Sequence, residues 1–183
     1  MTQNIDSGQA PFTREYYYDT WLEDGTQPLG YRETGWFAPK PRSPRRFAEL
    51  RVGQEISPFQ QGPVTRTQIV KYAAASWDFN PIHHDETFAS KARSGGIIMH
   101  GMTVFAYLGR VATDFFGTPD LRQLSARFVE VTRPGDVLTL GGKVEELTPD
   151  ASAKGGLAMI STYATNQHGA TVATGRASAR LMG

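Results

Sequence analysis

From Met102 to Phe116 the chain carries Val104, Phe105, Leu108, Val111, Ala112 and Phe115 at helical spacing. These positions cover more than one narrow stripe, so a helix formed here must be buried on most of its sides. Gly117 and Pro119 supply its end. The C-terminal third of the chain reads as strand, over Leu124–Val131, Val137–Leu147, Leu157–Thr165 and Thr171–Leu181. Alternation is plainest in the third of these, with Met159, Ser161 and Tyr163 set against Ala158, Ile160 and Thr162. Arg133-Pro134-Gly135-Asp136 and Gln167-His168-Gly169 provide turns. A buried helix followed by a run of antiparallel strands predicts an α+β domain whose sheet wraps that helix.

Upstream, Thr65 with Gln68 three residues later forms a capping-box signature. Ile69, Ala73 and Trp77 then recur at i, i+4 and i+8, with Val70 and Ala74 alongside, predicting an amphipathic helix to about Trp77. Asn80-Pro81 breaks it. A short helix is expected from Asp85, with Phe88, Ala89 and Ala92 facing inward and Asp85 as its cap. Arg93-Ser94-Gly95-Gly96 is a loop. Residues 1–46 differ from the rest. They mix Phe12, Tyr16, Tyr17, Tyr18, Trp21, Tyr31, Trp36 and Phe37 with Gly and Pro and end on a Pro- and Arg-rich connector. So many aromatics argue for an arm that packs on the body or on a partner subunit. The expected organisation is therefore an arm (1–46) and one domain (47–183), the length of 183 residues suiting a single core.

Composition removes several classes of function. Lys+Arg 19 against Asp+Glu 18 leaves no bulk charge to recruit nucleic acid or a membrane surface. The absence of cysteine excludes disulfides, thiolate nucleophiles and Cys-based zinc sites. No basic-then-apolar leader opens the sequence and no apolar run reaches membrane-span length, so a cytoplasmic location is expected. Walker, dinucleotide-binding, nucleophile-elbow and His-Glu-x-x-His motifs do not occur.

Chemistry concentrates in Ser76-Trp77-Asp78-Phe79-Asn80-Pro81-Ile82-His83-His84-Asp85. A carboxylate and an imidazole five residues apart, with a chain-reversing Asn-Pro between them, can converge on one small volume. Such a pair suits water chemistry: the carboxylate holds a water and the imidazole trades protons near neutral pH. The second element is His100-Gly101 at the start of the apolar helix. The first helical amides have no partner within the helix and sit at the positive end of its dipole. Gly101 N–H is thus a candidate to hold an acyl carbonyl oxygen as it gains charge.

Asp78-Phe79-Asn80-Pro81-Ile82-His83, with Ala89 six residues after the histidine, resembles the hydratase signature of the MaoC-like family. Ile98-Met99-His100-Gly101-Met102 resembles that family's second block, and Phe128-Val129-Glu130-Val131 with Arg133-Pro134-Gly135-Asp136 its later strand and turn. The resemblance runs from about Phe47 to Leu181 and leaves the aromatic arm outside. It implies a hot-dog fold that dimerises, or assembles further, or pairs with a different subunit. It also implies reversible hydration of a 2-enoyl-CoA to a (3R)-3-hydroxyacyl-CoA, with CoA entering as part of the substrate and no separate cofactor. Asp78 and His83 would be the catalytic pair, Gly101 the oxyanion-hole amide, and Asn80 and Pro81 the brace of the loop. Trp77 departs from the pattern, which commonly has glycine before the catalytic Asp; an indole there is expected to shape the acyl pocket. An acyl-carrier-protein-linked dehydratase is the alternative of the same chemistry, and thioester hydrolysis is disfavoured by the complete signature.

Other polar residues read more plainly. His84 and Asp85 are expected to be structural, His100 a turn residue holding the helix start, and His168 exposed. The spacing of Asp78, His83, His84, Asp85 and His100 fits no standard helical ligand pair, so no metal site is expected. Gly95-Gly96 is weak as a phosphate cradle. Lys91, Arg93 and Arg110 could meet substrate phosphates and read equally well as solvated charges.

Overall fold

A computed structural model describes residues 44–117, 121–151 and 155–183. The arm expected over 1–46 therefore lies, save its last three residues, outside the described residues. In chain order the elements are a 3-10 turn (Phe47–Glu49), β1 (Glu55–Gln61), α1 (Arg66–Ser76), a second 3-10 turn (Pro81–His83), α2 (Glu86–Lys91), α3 (Gly101–Phe116), β2 (Leu121–Phe128), β3 (Leu138–Pro149), β4 (Gly156–Thr165) and β5 (Thr171–Leu181). The strands form one antiparallel sheet in the order β1-β3-β4-β5-β2. The sheet wraps α3, which is the hot-dog arrangement that the sequence implies.

Packing between the two layers is a matching of large against small. The helix supplies Val104, Leu108, Val111, Phe115 and Phe116, all buried. Opposite them the inward row of β4 is Gly156, Ala158, Ile160, Thr162 and Ala164, and β5 answers with Ala173, Gly175, Ala177 and Ala179. Small residues on the sheet let the helix axis approach closely, as dense interiors require. Gly175 is one such close approach: a Cβ there would lie 2.6 Å from Thr162 Oγ1, 2.8 Å from Ser125 O and 3.3 Å from Leu108 Cδ1. The far end of α3 closes on Gly117, whose φ of +79° is the left-handed cap conformation. Arg45 completes that end, its backbone N–H donating to Phe116 O (3.0 Å) and its Nε to Phe115 O (2.7 Å), where a cation also suits the helix dipole.

Several expectations shift. β1 is absent from the sequence reading because Ser57-Pro58 interrupts its alternation; the structure absorbs them in a register shift between Ile56 and Phe59 on an edge strand, where a missing N–H is tolerated. β2 begins three residues earlier than read from the sequence and stops at Phe128. In α1 only Ile69 and Ala73 are buried, while Val70, Ala74 and Trp77 face out. In α2 only Ala89 is buried, and Phe88 is exposed. The Thr65–Gln68 capping box and the Asp85 cap form as expected. No helix among the described residues is long and apolar enough to cross a membrane.

Gly175→Ala should destabilise the fold by about 1–3 kcal/mol despite alanine's smaller backbone entropy cost, because its methyl has no room between Thr162 and Leu108. Urea unfolding midpoints of the two proteins measure this; equal midpoints would refute the close-approach argument.

Candidate active site

Three pieces of backbone meet at the start of α3: the end of α1, the loop from 78 to 85, and the extended segment 97–100. Trp77 caps α1 with φ 58° and ψ 23°, among the described residues the one non-glycine with positive φ. A left-handed residue turns the chain sharply, so that Asp78 leaves the helix pointing across its end. Asp78 then folds back on its own loop. Its Oδ1 accepts from Asn80 N–H (3.3 Å), and Asn80 Oδ1 accepts from Ile82 N–H (3.1 Å) to start the 3-10 turn Pro81–His83. That turn lifts His83 into the interior, where its side chain is only 10% exposed.

A seam of hydrogen bonds joins the loop to the segment entering α3. His83 Nδ1–H donates to Ile98 O (2.8 Å), and Ile98 N–H donates to Ile82 O (3.3 Å). His100 Nε2–H donates to the Asp78 carbonyl (3.1 Å). The carbonyl partners assign the tautomers: His83 carries its proton on Nδ1 and leaves Nε2 as a lone pair, whereas His100 carries its proton on Nε2. His83 Nε2 stands 3.8 Å from Asp78 Oδ2, and His100 Nε2 4.0 Å from the same oxygen. Both separations exceed a direct hydrogen bond. The Asp78 side chain is half exposed, so the cluster opens to solvent on the carboxylate side.

His100 holds the helix start through its backbone, as the sequence suggests, while its side chain is engaged elsewhere. It does precede the helix, and its carbonyl accepts from Thr103 N–H (3.0 Å), but its side chain makes no capping bond. Instead the ring is 2% exposed and stacks on His83, with centroids 3.6 Å apart and planes at 23°. Tyr72 closes its other side at 4.8 Å. Burial is the main force holding His100 below its ordinary pKa of 6.5; the nearby His83 and His84 push the same way, against the Asp78 carbonyl and carboxylate. Its Nδ1 is buried without a partner among the described residues. The signal available in the sequence is its place directly before the helix glycine, in a run of buried apolar residues.

Gly101 opens α3 and is exposed, with the Phe128 ring 3.4 Å from where its Cβ would be. Its N–H is among the helix's unpaired first amides. His84 donates from Nε2 to Phe79 O (3.1 Å), and Asp85 accepts from Thr87 and Phe88 amides at 2.8 and 3.1 Å. Gly95 and Gly96 both have positive φ, and their loop is pinned by Ser94 Oγ donating to Gly96 O and by Arg133 donating to Ser94 O. Lys91 and Arg93 are exposed, while Arg110 pairs with Asp114 (3.4 Å) and covers the Phe59 ring, well along α3 from Gly101. A cavity of about 490 Å³ adjoins that distant half of the helix, between Arg45, Phe59 and Arg110. His168 lies exposed in its turn. Asp78, His83 and His100 offer ligand atoms within 4.8 Å of one another and could receive a divalent cation, though His100 would have to give up its bond to the Asp78 carbonyl.

Known proteins bear on this arrangement. A family model described as MaoC like domain matches residues 47–165. An (R)-hydratase from A. caviae involved in PHA biosynthesis superposes with a TM-score of 0.63 at 26% identity, over 73% of this chain and 98% of its own. A monoamine oxidase regulatory protein from Archaeoglobus fulgidus does so with a TM-score of 0.68 at 26% identity, over 78% and 99%. A fatty acid synthase subunit beta from Aspergillus oryzae is 41% identical over 73 residues, which are 38% of this chain and 4% of that much longer protein.

The site's construction has two measurable outcomes. Because the folded pKa of His100 is lowered, the unfolded chain binds more protons between that value and 6.5. Its contribution is therefore fully present above 6.5 and declines as pH falls through 6.5 toward the lowered value. Calorimetric midpoints should drop over that range, and His100→Gln should flatten the drop; an unchanged slope would contradict the burial. Separately, Trp77→Gly should raise stability by about 0.5–1 kcal/mol by relieving the left-handed backbone, read from urea midpoints. A loss would mean that the edge-to-face contact of the indole with Phe79 outweighs the backbone strain.

Proposed function

Since this chain belongs to the MaoC-like domain family, we propose that it reversibly hydrates a 2-enoyl thioester, CoA-linked, to the (3R)-3-hydroxyacyl thioester, with Asp78 and His83 as its working pair. The observation that carries this reading is the 3.8 Å gap between Asp78 Oδ2 and His83 Nε2, against His100, the residue that leads into α3 at Gly101. Both atoms are acceptors. One water can donate a hydrogen to each, and its oxygen lone pair then points away from both, toward an electrophile. As that oxygen bonds to C3 of the enoyl group, His83 Nε2 takes a proton, and electrons pass through the conjugated system onto the thioester oxygen. Gly101 N–H, at the positive end of α3, steadies that oxygen. A proton returned from the same pair to C2 completes the addition of one water. Dehydration is the same path reversed.

The supporting parts are rigid where the mechanism needs them to be. Asn80 and the Pro81 turn fix the loop, and Ile98 O fixes the His83 tautomer that presents a lone pair to the water. Phe128 at the mouth and the exposed Phe79 and Trp77 give the acyl chain or a second subunit apolar surface to cover, which suits the expected dimer. The fatty acid synthase similarity favours a second reading, in which the thioester is borne by a carrier protein rather than by CoA.

Adding the protein to trans-2-enoyl-CoA substrates of varied length should lower the conjugated enoyl absorbance to its equilibrium level, with chiral analysis giving the (3R) product. Asp78→Asn and His83→Ala should each lower kcat by about 10²–10⁴ while leaving a cooperative melt. Wild-type rates in both variants would end the assignment, and faster turnover of carrier-bound thioesters would select the second reading.

A further inference from the structure

We propose that His100 is a positioning residue, whose Nε2–H holds the Asp78 carbonyl and whose ring face holds the His83 imidazole, so that one buried side chain sets the spacing of the catalytic pair. This rests on the Asp78–His83 reading above. A residue at the N-cap position usually spends its side chain on the amides of the first helical turn. His100 does not; the ring turns away from α3 into the loop. The Gly101 and Met102 amides thereby receive no side-chain cap from His100. The ring also becomes a wedge between Tyr72 and His83, at 4.8 and 3.6 Å.

Asp78 needs such a hold. It follows a left-handed tryptophan, is exposed, and among the described residues has its carboxylate tied only through Oδ1 to Asn80 N–H at 3.3 Å. The peptide plane after Asp78 sets where Oδ2 points, and the His100 bond at 3.1 Å fixes that plane from across 22 residues of sequence. On the other face, the 23° stack limits rotation of His83 about its ring axis while Ile98 O holds Nδ1. His100 is a poor choice for stability alone, because its Nδ1 lone pair is buried without a donor. That same feature selects the tautomer: a proton on Nδ1 would find no acceptor among the described residues, so the hydrogen of the neutral ring stays on Nε2, directed at the Asp78 carbonyl. The gap that admits a water thus depends on a neutral imidazole that never touches the water's attacking oxygen.

Two substitutions separate the functions of the ring. His100→Phe keeps the stacked plane and loses the donor, and His100→Gln keeps a donor at the Nε2 position and loses the plane. With the enoyl-CoA panel as substrate, His100→Phe should lower kcat about 10–100-fold with KM within about twofold, and His100→Gln should recover to within about fivefold of wild type. Nitrogen-15 spectra of the imidazoles should show wild-type His100 as the neutral Nε2–H tautomer. The Asp78 carbonyl carbon-13 resonance should move upfield in His100→Phe and stay in place in His100→Gln. Full kcat in folded His100→Phe, a His100 ring protonated or carrying its proton on Nδ1 at neutral pH, or an unmoved Asp78 carbonyl would each overturn the proposal. If His100→Phe does not fold, a His100→Gln rate as low as that of Asp78→Asn does so. Should wild type hydrate no enoyl thioester, the functional reading falls on its own, and the two spectra still decide whether His100 holds Asp78.

Discussion

The site is held by a seam only three hydrogen bonds long, between residues 78–83 and residues 98–100: His83 to Ile98 O, Ile98 to Ile82 O, and His100 to Asp78 O. Neither side of it belongs to a strand or an α-helix. One is a loop released by a strained helix end, and the other is the extended lead-in to α3. Asp78 is exposed and tied within its own loop only by one 3.3 Å bond, so without the seam its carboxylate would be an ordinary solvated group. With it, a carboxylate and two imidazoles occupy one small volume at the entrance of α3.

The core beneath the seam anchors it. Ile97, Met99 and His100 are buried, and Met99 N–H donates to Thr132 O (2.8 Å) beyond the end of β2. The lead-in therefore takes its position from α3 on one side and from the sheet margin on the other. Moving α3 outward by the width of a methyl group, as a larger residue at Gly175 would require, displaces His100 and Gly101 with it. The small residues of β4 and β5 are thus as much a part of the site's geometry as the loop, although none of them touches it.

The helix, the last three strands and the Asp–His loop are legible in the sequence because each is governed by local rules: helical periodicity, alternation, a capping box and an Asn-Pro break. The sequence obscures β1, whose edge position lets Pro58 sit within a strand that alternation would reject. It also hides the orientation of Trp77. The i, i+4, i+8 spacing assigns the indole to the buried stripe, whereas a left-handed cap rotates it outward to 84% exposure. The resemblance marks this position as one that commonly holds glycine, and the positive φ supplies the physical reason. His100 is obscured for a different reason. Its backbone role at the helix start is readable from neighbours in sequence, but the stack on His83 and the bond to Asp78 span 17 and 22 residues and arise only once the seam has closed.

The 3.8 Å separation contrasts with the closer contact that a carboxylate and an imidazole could have made. A direct pair would satisfy both groups with each other, stabilise a charged His83, and leave no lone pair to accept a proton from water. The seam prevents this from two directions. Ile98 O commits His83 to the Nδ1–H tautomer, turning a lone pair rather than a proton toward Asp78. His100, buried and neutral, sits against the ring and keeps it from swinging into the carboxylate. Under the hydration reading, two acceptors held just too far apart to be useful to each other are an arrangement that water completes, since water offers two donors and a nucleophilic lone pair on one atom.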